Sequence, residues 1–165
     1  MTIEIRQKDP IEFEGDALMI PALSSGLMGL PFAARVKAIV GEKLEQEVAK
    51  HAPIAVGACL VTEAGSLPAK HLIHSPVLEE MNLRIGVENI RRSVRASLLG
   101  ATRYKFDTVG IPAFGYEDTG VSHEETARAI LDEINGYKGS HPLNVVLLDT
   151  NADMIEAFHE LVPNR

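Results

Sequence analysis

The chain is bounded first by what it lacks. It has one cysteine, Cys59, in 165 residues. That excludes an intramolecular disulfide and leaves a cysteine-based zinc cluster without its other ligands. No apolar run approaches the roughly 20 residues that a membrane-spanning helix needs. The N-terminus, MTIEIRQKDP, lacks the apolar core of a signal peptide. A basic excess is also missing: 16 Lys and Arg stand against 23 Asp and Glu, a formal net charge of −7. Nucleic-acid binding rests on a basic surface, so this balance argues against it. No internal repeat, low-complexity tract or linker divides the chain. The expectation is a cytoplasmic protein away from the membrane, with residues 1–165 as a single domain.

What is present suits a globular fold. Hydrophobic residues make up 45% and the mean hydropathy is near zero. Thr2 to Arg6 alternates and reads as an edge strand, and Lys8-Asp9-Pro10 as a turn. Ala17 to Ala22 is wholly apolar, which fits a strand covered on both faces. After a loop holding Gly26 and Gly29, Pro31 suits a first helical turn, and Phe32, Val36, Ile39 and Val40 recur at helical spacing. A second helical segment spans about Glu42 to Lys50. Val56 to Glu63 and His71 to Val77 read as strands, Arg84 to Leu99 as a helix ending before Gly100. Leu143 to Asp149 reads as the last strand and Ala152 to Val162 as the last helix. Alternating strands and helices predict an α/β fold with a largely parallel or mixed sheet.

One stretch, Asp107 to Thr126, carries most of the functional content. An apolar strand, Val109 to Ala113, breaks at a loop with Gly115 and Gly120. Ser122 then caps a helix, and Glu125 three residues on completes a capping box. A strand, a glycine-bearing loop and a helix start form a common ligand site in α/β sheets. The helix N-terminus offers unpaired N–H groups suited to an anion. Glu117 and Asp118 in that loop oppose an anion. A carboxylate about 4 Å from a phosphate charge costs roughly 1 kcal/mol in water and about 4 near a protein surface.

The run from Val56 to Ser75 resembles the macro domain, the ADP-ribose-binding module. Gly57, Ala58, Thr62, Gly65, Leu67, Ala69, Lys70, Ile73 and His74 fall where that family's pattern expects them. Ile111-Pro112-Ala113-Phe114-Gly115, with Glu124-Glu125-Thr126-Ala127 after it, is similar to the second ligand loop and its helix. Asp9 and Asp16 have the spacing of the family's two N-terminal aspartates, and Ala17 to Gly41 runs alongside the first ligand loop. The resemblance implies a three-layer α/β/α sandwich with a mixed, mostly parallel central sheet, and a cleft between Ala22–Phe32 and Gly115–Gly120 that takes ADP-ribose or a related nucleotide. Its ligand-binding residues would be Asp9, Ala22, Leu23, Gly29, Phe32, Gly115, Tyr116, Glu117, Asp118, Thr119 and Gly120. No cofactor and no metal ligand set is implied.

The ligand loops depart from the family. Lys8 replaces a glycine, Leu23 an asparagine that holds the distal ribose, and the glycine run reads Met28-Gly29-Leu30-Pro31. Leucine cannot hydrogen-bond a ribose hydroxyl, and proline has no N–H to give. Binding is therefore expected to be weak or altered. Two alternatives stand beside it: a hydrolase acting on ADP-ribose derivatives, and a degenerate fold that serves as a non-enzymatic protein-interaction domain.

Other residues have plainer readings. Asp9 either accepts an adenine amino hydrogen or is a turn aspartate before Pro10. Asp16 orients the start of a strand. His71 and His74 are three apart on a strand, which sends them to opposite faces, and His74 reads as a core histidine bonded to backbone. His123 lies at a helix N-terminus. Cys59 reads as a buried thiol in a strand. Arg84, Arg91, Arg92, Arg95 and Arg103 read as a solvated helix face.

Overall fold

A computed structural model describes residues 1–117 and 120–162. The strands are β1 (Thr2–Gln7), β2 (Ala17–Leu23), β3 (Leu60–Glu63), β4 (His71–Leu78), β5 (Thr108–Pro112) and β6 (Asn144–Asp149). The helices are α1 (Pro31–Val40), α2 (Glu42–Ala49), α3 (Val87–Tyr104), α4 (His123–Gly136) and α5 (Ala152–Leu161). The strands form one sheet in the order β1-β6-β5-β2-β4-β3. Only the β3–β4 pairing is antiparallel among those described.

Connection direction decides the layers. The crossover from β2 to β4 steps one way along the sheet, while those from β4 to β5 and from β5 to β6 step the other way. Parallel crossovers are right-handed, so opposite steps send their helices to opposite faces. Accordingly α1 packs on β2 and α2, whereas α3, α4 and α5 lie side by side across the sheet. The result is the expected α/β/α sandwich. Every residue of β2 is buried, as its continuous apolar run requires. Leu18, Ile20, Leu72, Ile73, Ile111 and Leu147 form the middle of the core.

Local rules account for the ends of several elements. Ser122 Oγ accepts from Glu125 N at 3.0 Å, and the Glu125 side chain returns to the Ser122 N–H, so the capping box is complete. Asp16 instead acts across the sheet: its Oδ2 accepts from Asp107 N at 2.9 Å and Thr108 N at 3.1 Å, which orients the start of β5 rather than of its own strand. Three boundaries differ from the sequence reading by three residues or more. The strand expected from Val56 begins only at Leu60, because Gly57 takes φ +101 and the extended run breaks there. Helix α3 starts later, at Val87, and runs through Gly100 to Tyr104. Gly100 is small for packing rather than for termination: a Cβ there would lie 2.9 Å from Cys59 Sγ. Cys59 is accordingly a half-buried loop residue, not a strand residue, and burial raises its thiol pKa.

His74 is buried as expected, but it bonds to the Thr62 hydroxyl at 2.9 Å rather than to backbone. Burial lowers its pKa to about 4. His71 is only half-buried, and its ring lies 5.0 Å from that of Phe106. Among the described residues, no helix is long and apolar enough to cross a membrane.

Candidate functional site

A cleft opens where the sheet parts. β2 and β5 pair only at Ala17–Val109 and Leu18–Gly110. Pro21 and Pro112 lie beyond that point, and neither has an N–H to extend a ladder. Both strands end there with helices leaving to opposite faces, α1 from β2 and α4 from β5. That is the switch point where open α/β sheets hold ligands. The cleft encloses about 230 Å³.

Its walls come from six segments. Pro10 belongs to the turn after β1 and Pro21 to β2, and Leu30, Pro31, Phe32 and Arg35 come from the start of α1. Ile85 precedes α3. Pro112 ends β5, with Ala113, Phe114, Gly115, Tyr116 and Glu117 after it, and Asp149 ends β6, with Thr150 after it. The surface is mostly apolar, with few polar groups.

Those polar groups have partners within the protein. Arg35 Nη2 donates to Asp9 Oδ2 at 2.5 Å, while Asp9 Oδ1 accepts from Ile11 N at 3.1 Å. The Arg35 guanidinium holds the Asp9 carboxyl below the usual carboxylate range. Tyr116 donates its hydroxyl to Asp149 Oδ2 at 2.9 Å, and Asp149 Oδ1 accepts from Asn151 N at 2.8 Å. Burial first, and then the bond to Asp149, pushes the Tyr116 phenol pKa upward. Glu117 Oε2 accepts from Gly115 N at 3.2 Å. Gly115 is required in this loop: its φ is +93, and a Cβ would meet Ile90 Cδ1 at 2.6 Å.

The structure brings together Phe32, Gly115, Tyr116 and Glu117 from the sequence expectation. Asp9 adjoins them through Arg35 and also caps a single 3-10 turn at Pro10–Glu12, so it is a turn aspartate in its local role. Ala22 and Leu23 are buried at the end of β2, with Leu23 in the core. Gly29 is exposed, with Met81 Sδ 3.4 Å from where its Cβ would be. Gly120 is exposed at φ +82. Asp118 and Thr119 lie outside the described residues. His123 sets its ring edge-on to Tyr116 at 4.8 Å.

Sequence reasoning missed Arg35, Ile85, Asp149 and Thr150. For Asp149 a signal existed: an acidic residue closing a continuous apolar strand. Of the arginines grouped in the sequence, Arg84 precedes α3, and the other four lie on it with Arg92, Arg95 and Arg103 exposed; Arg91 and Arg95 also form ion pairs with α4. Arg91 meets Asp132 at 3.1 Å, Arg95 meets Glu133 at 2.9 Å, and Arg92 donates to Val56 O at 2.9 Å.

Comparison with known proteins agrees with the architecture. An uncharacterized protein of Aquifex aeolicus is 35% identical over 162 residues, covering 98% of both chains. One of Aeropyrum pernix is 31% identical over 146 residues, covering 88% of this chain and 77% of its own. Among solved structures, an Oceanobacillus iheyensis macrodomain with ADP superposes at TM-score 0.80 with 17% identity, over 96% of this chain and 88% of that one. A Trypanosoma brucei macrodomain in complex with ADP-ribose superposes at 0.79 with 19% identity, over 98% and 69%. The macro domain family pattern matches residues 21–130, well over half of the chain. This chain belongs to the macro domain family.

Proposed function

We propose that the cleft binds ADP-ribose or a related nucleotide, with an affinity weakened or altered by its own loop residues. The observation that carries this reading is the cleft itself, which lies at the switch point between the β2–α1 and β5–α4 loops and has Phe32 and Tyr116 as ring-bearing walls. Family membership, and the ADP-ribose and ADP named with two macrodomains of the same fold, support the choice of ligand class. Weakening follows from the chemistry of the loop residues. Leu23, buried in the core rather than lining the cleft, has no polar atom to offer a ribose hydroxyl, Pro31 has no N–H, and Glu117 adds negative charge.

Isothermal titration with ADP-ribose tests the reading. Saturable heat between micromolar and low-millimolar ligand is the expected result, lost in a Phe32→Ala, Tyr116→Ala double variant that still melts cooperatively. A flat trace through that range overturns it and leaves a scaffold.

A further inference from the structure

The cleft answers its own polar groups before any ligand arrives. Arg35 is paired with Asp9, Asp149 holds Tyr116 and Asn151, and the Gly115 N–H already donates to a carboxylate, that of Glu117. The formal charges on the described lining residues are Arg35 against Glu117 and Asp149, so the walls are net acidic. Much of the remaining lining is apolar and cyclic: Pro10, Pro21, Pro31, Phe32, Pro112 and Phe114, with the ring of Tyr116 beside them.

We infer that Glu117 is a specificity-determining residue that sets the cleft against diphosphates and in favour of an uncharged, ring-bearing ligand of the nucleoside class. The inference rests on the proposed nucleotide-binding reading and says which part of the nucleotide is recognised. A phosphate oxygen reaching the Gly115 N–H must displace the Glu117 carboxylate, and the displaced charge stays beside it because both belong to one short loop. A nucleoside asks for neither step. Its base stacks on aromatic walls, whose faces accept any offset ring.

The test is titration of the full chain at neutral pH with adenosine, ADP and ADP-ribose, using the unaltered protein, Glu117→Gln and Glu117→Ala. Glutamine keeps an oxygen for the Gly115 N–H without the charge; alanine removes both. The unaltered protein is expected to bind adenosine at least as tightly as ADP-ribose. Both variants are expected to gain about tenfold for ADP and ADP-ribose, about 1.4 kcal/mol, with adenosine changed less than about twofold. Two results overturn the inference while leaving nucleotide binding in place. One is ADP-ribose binding more than about tenfold tighter than adenosine in the unaltered protein. The other is an unchanged ratio of the two ligands in both variants. Silence from all three ligands with all three proteins sinks the inference and the nucleotide reading together.

Discussion

The two loops that wall the cleft are fastened by the same chemistry from different places. In the β2–α1 loop, Met28 N donates to Glu45 Oε2 at 2.8 Å, and Glu45 belongs to α2, behind the loop. Lys37 meets the same carboxylate at 2.9 Å. In the β5–α4 loop, Gly115 N donates to Glu117, two residues along the same loop. A carboxylate lent by a packed helix ties a loop to the scaffold and keeps its charge out of the cleft. One lent by the loop itself brings the charge in. The first arrangement builds a wall; the second also screens what can approach it.

Substitutions can break each tie in turn. Gly115→Val should act most strongly, because it forces a β-branched residue to φ +93 and into Ile90. A loss of about 3 kcal/mol or more is expected in denaturant unfolding. The sheet interior supplies a control that bears on both loops equally. His74 has a folded pKa of about 4 against an ordinary 6.5. The unfolded chain therefore binds the proton more readily between those values. Stability is complete above pH 6.5 and falls by about 3 kcal/mol as the pH drops toward 4. His74→Gln should flatten the melting temperature across that window.

Glu45→Ala should cost about 2 kcal/mol through the lost charged hydrogen bond to Met28. The Met28 N–H, and then Lys37, lower the pKa of Glu45. Its contribution is thus present above the ordinary carboxylate value and is lost as pH falls through the lowered one. Glu45→Gln should make the most acidic limb of the melting curve shallower, and an unchanged limb would count against the tie. Tyr116→Phe leaves the buried Asp149 with one oxygen unanswered and should cost about 1–2 kcal/mol. Glu117→Gln should change stability least, within about 0.5 kcal/mol, since the residue is exposed. A large stability loss there would mean that the loop depends on the carboxylate for its shape, erasing the contrast between the two walls.

Much of the fold was legible because it obeys short-range rules. The apolar run of β2, the Ser122–Glu125 box and Pro31 at the first turn of α1 each signal structure within a few residues. Gly100 misled because a glycine near the end of a helical pattern looks like a stop. Its reason for being small, Cys59, sits on a different element. The site was legible in its loops and illegible elsewhere. Phe32, Gly115, Tyr116 and Glu117 fall in the two segments that the family resemblance marked, Ala22–Phe32 and Gly115–Gly120, whereas Arg35 lies about one helical turn further along α1 and Ile85, Asp149 and Thr150 come from other segments.

By itself the sequence determined most of the strands and helices and that they alternate as an α/β fold, since periodicity and caps act locally. Tertiary structure alone decided that β2 and β5 separate after Leu18 and Gly110, that Asp149 comes to hold Tyr116, and that the Glu117 carboxylate turns back onto its own loop. Each of these depends on which partner a group meets across the sheet or around a turn. The free energies of competing partners differ by only about 1 kcal/mol, too little for composition or spacing to reveal the outcome.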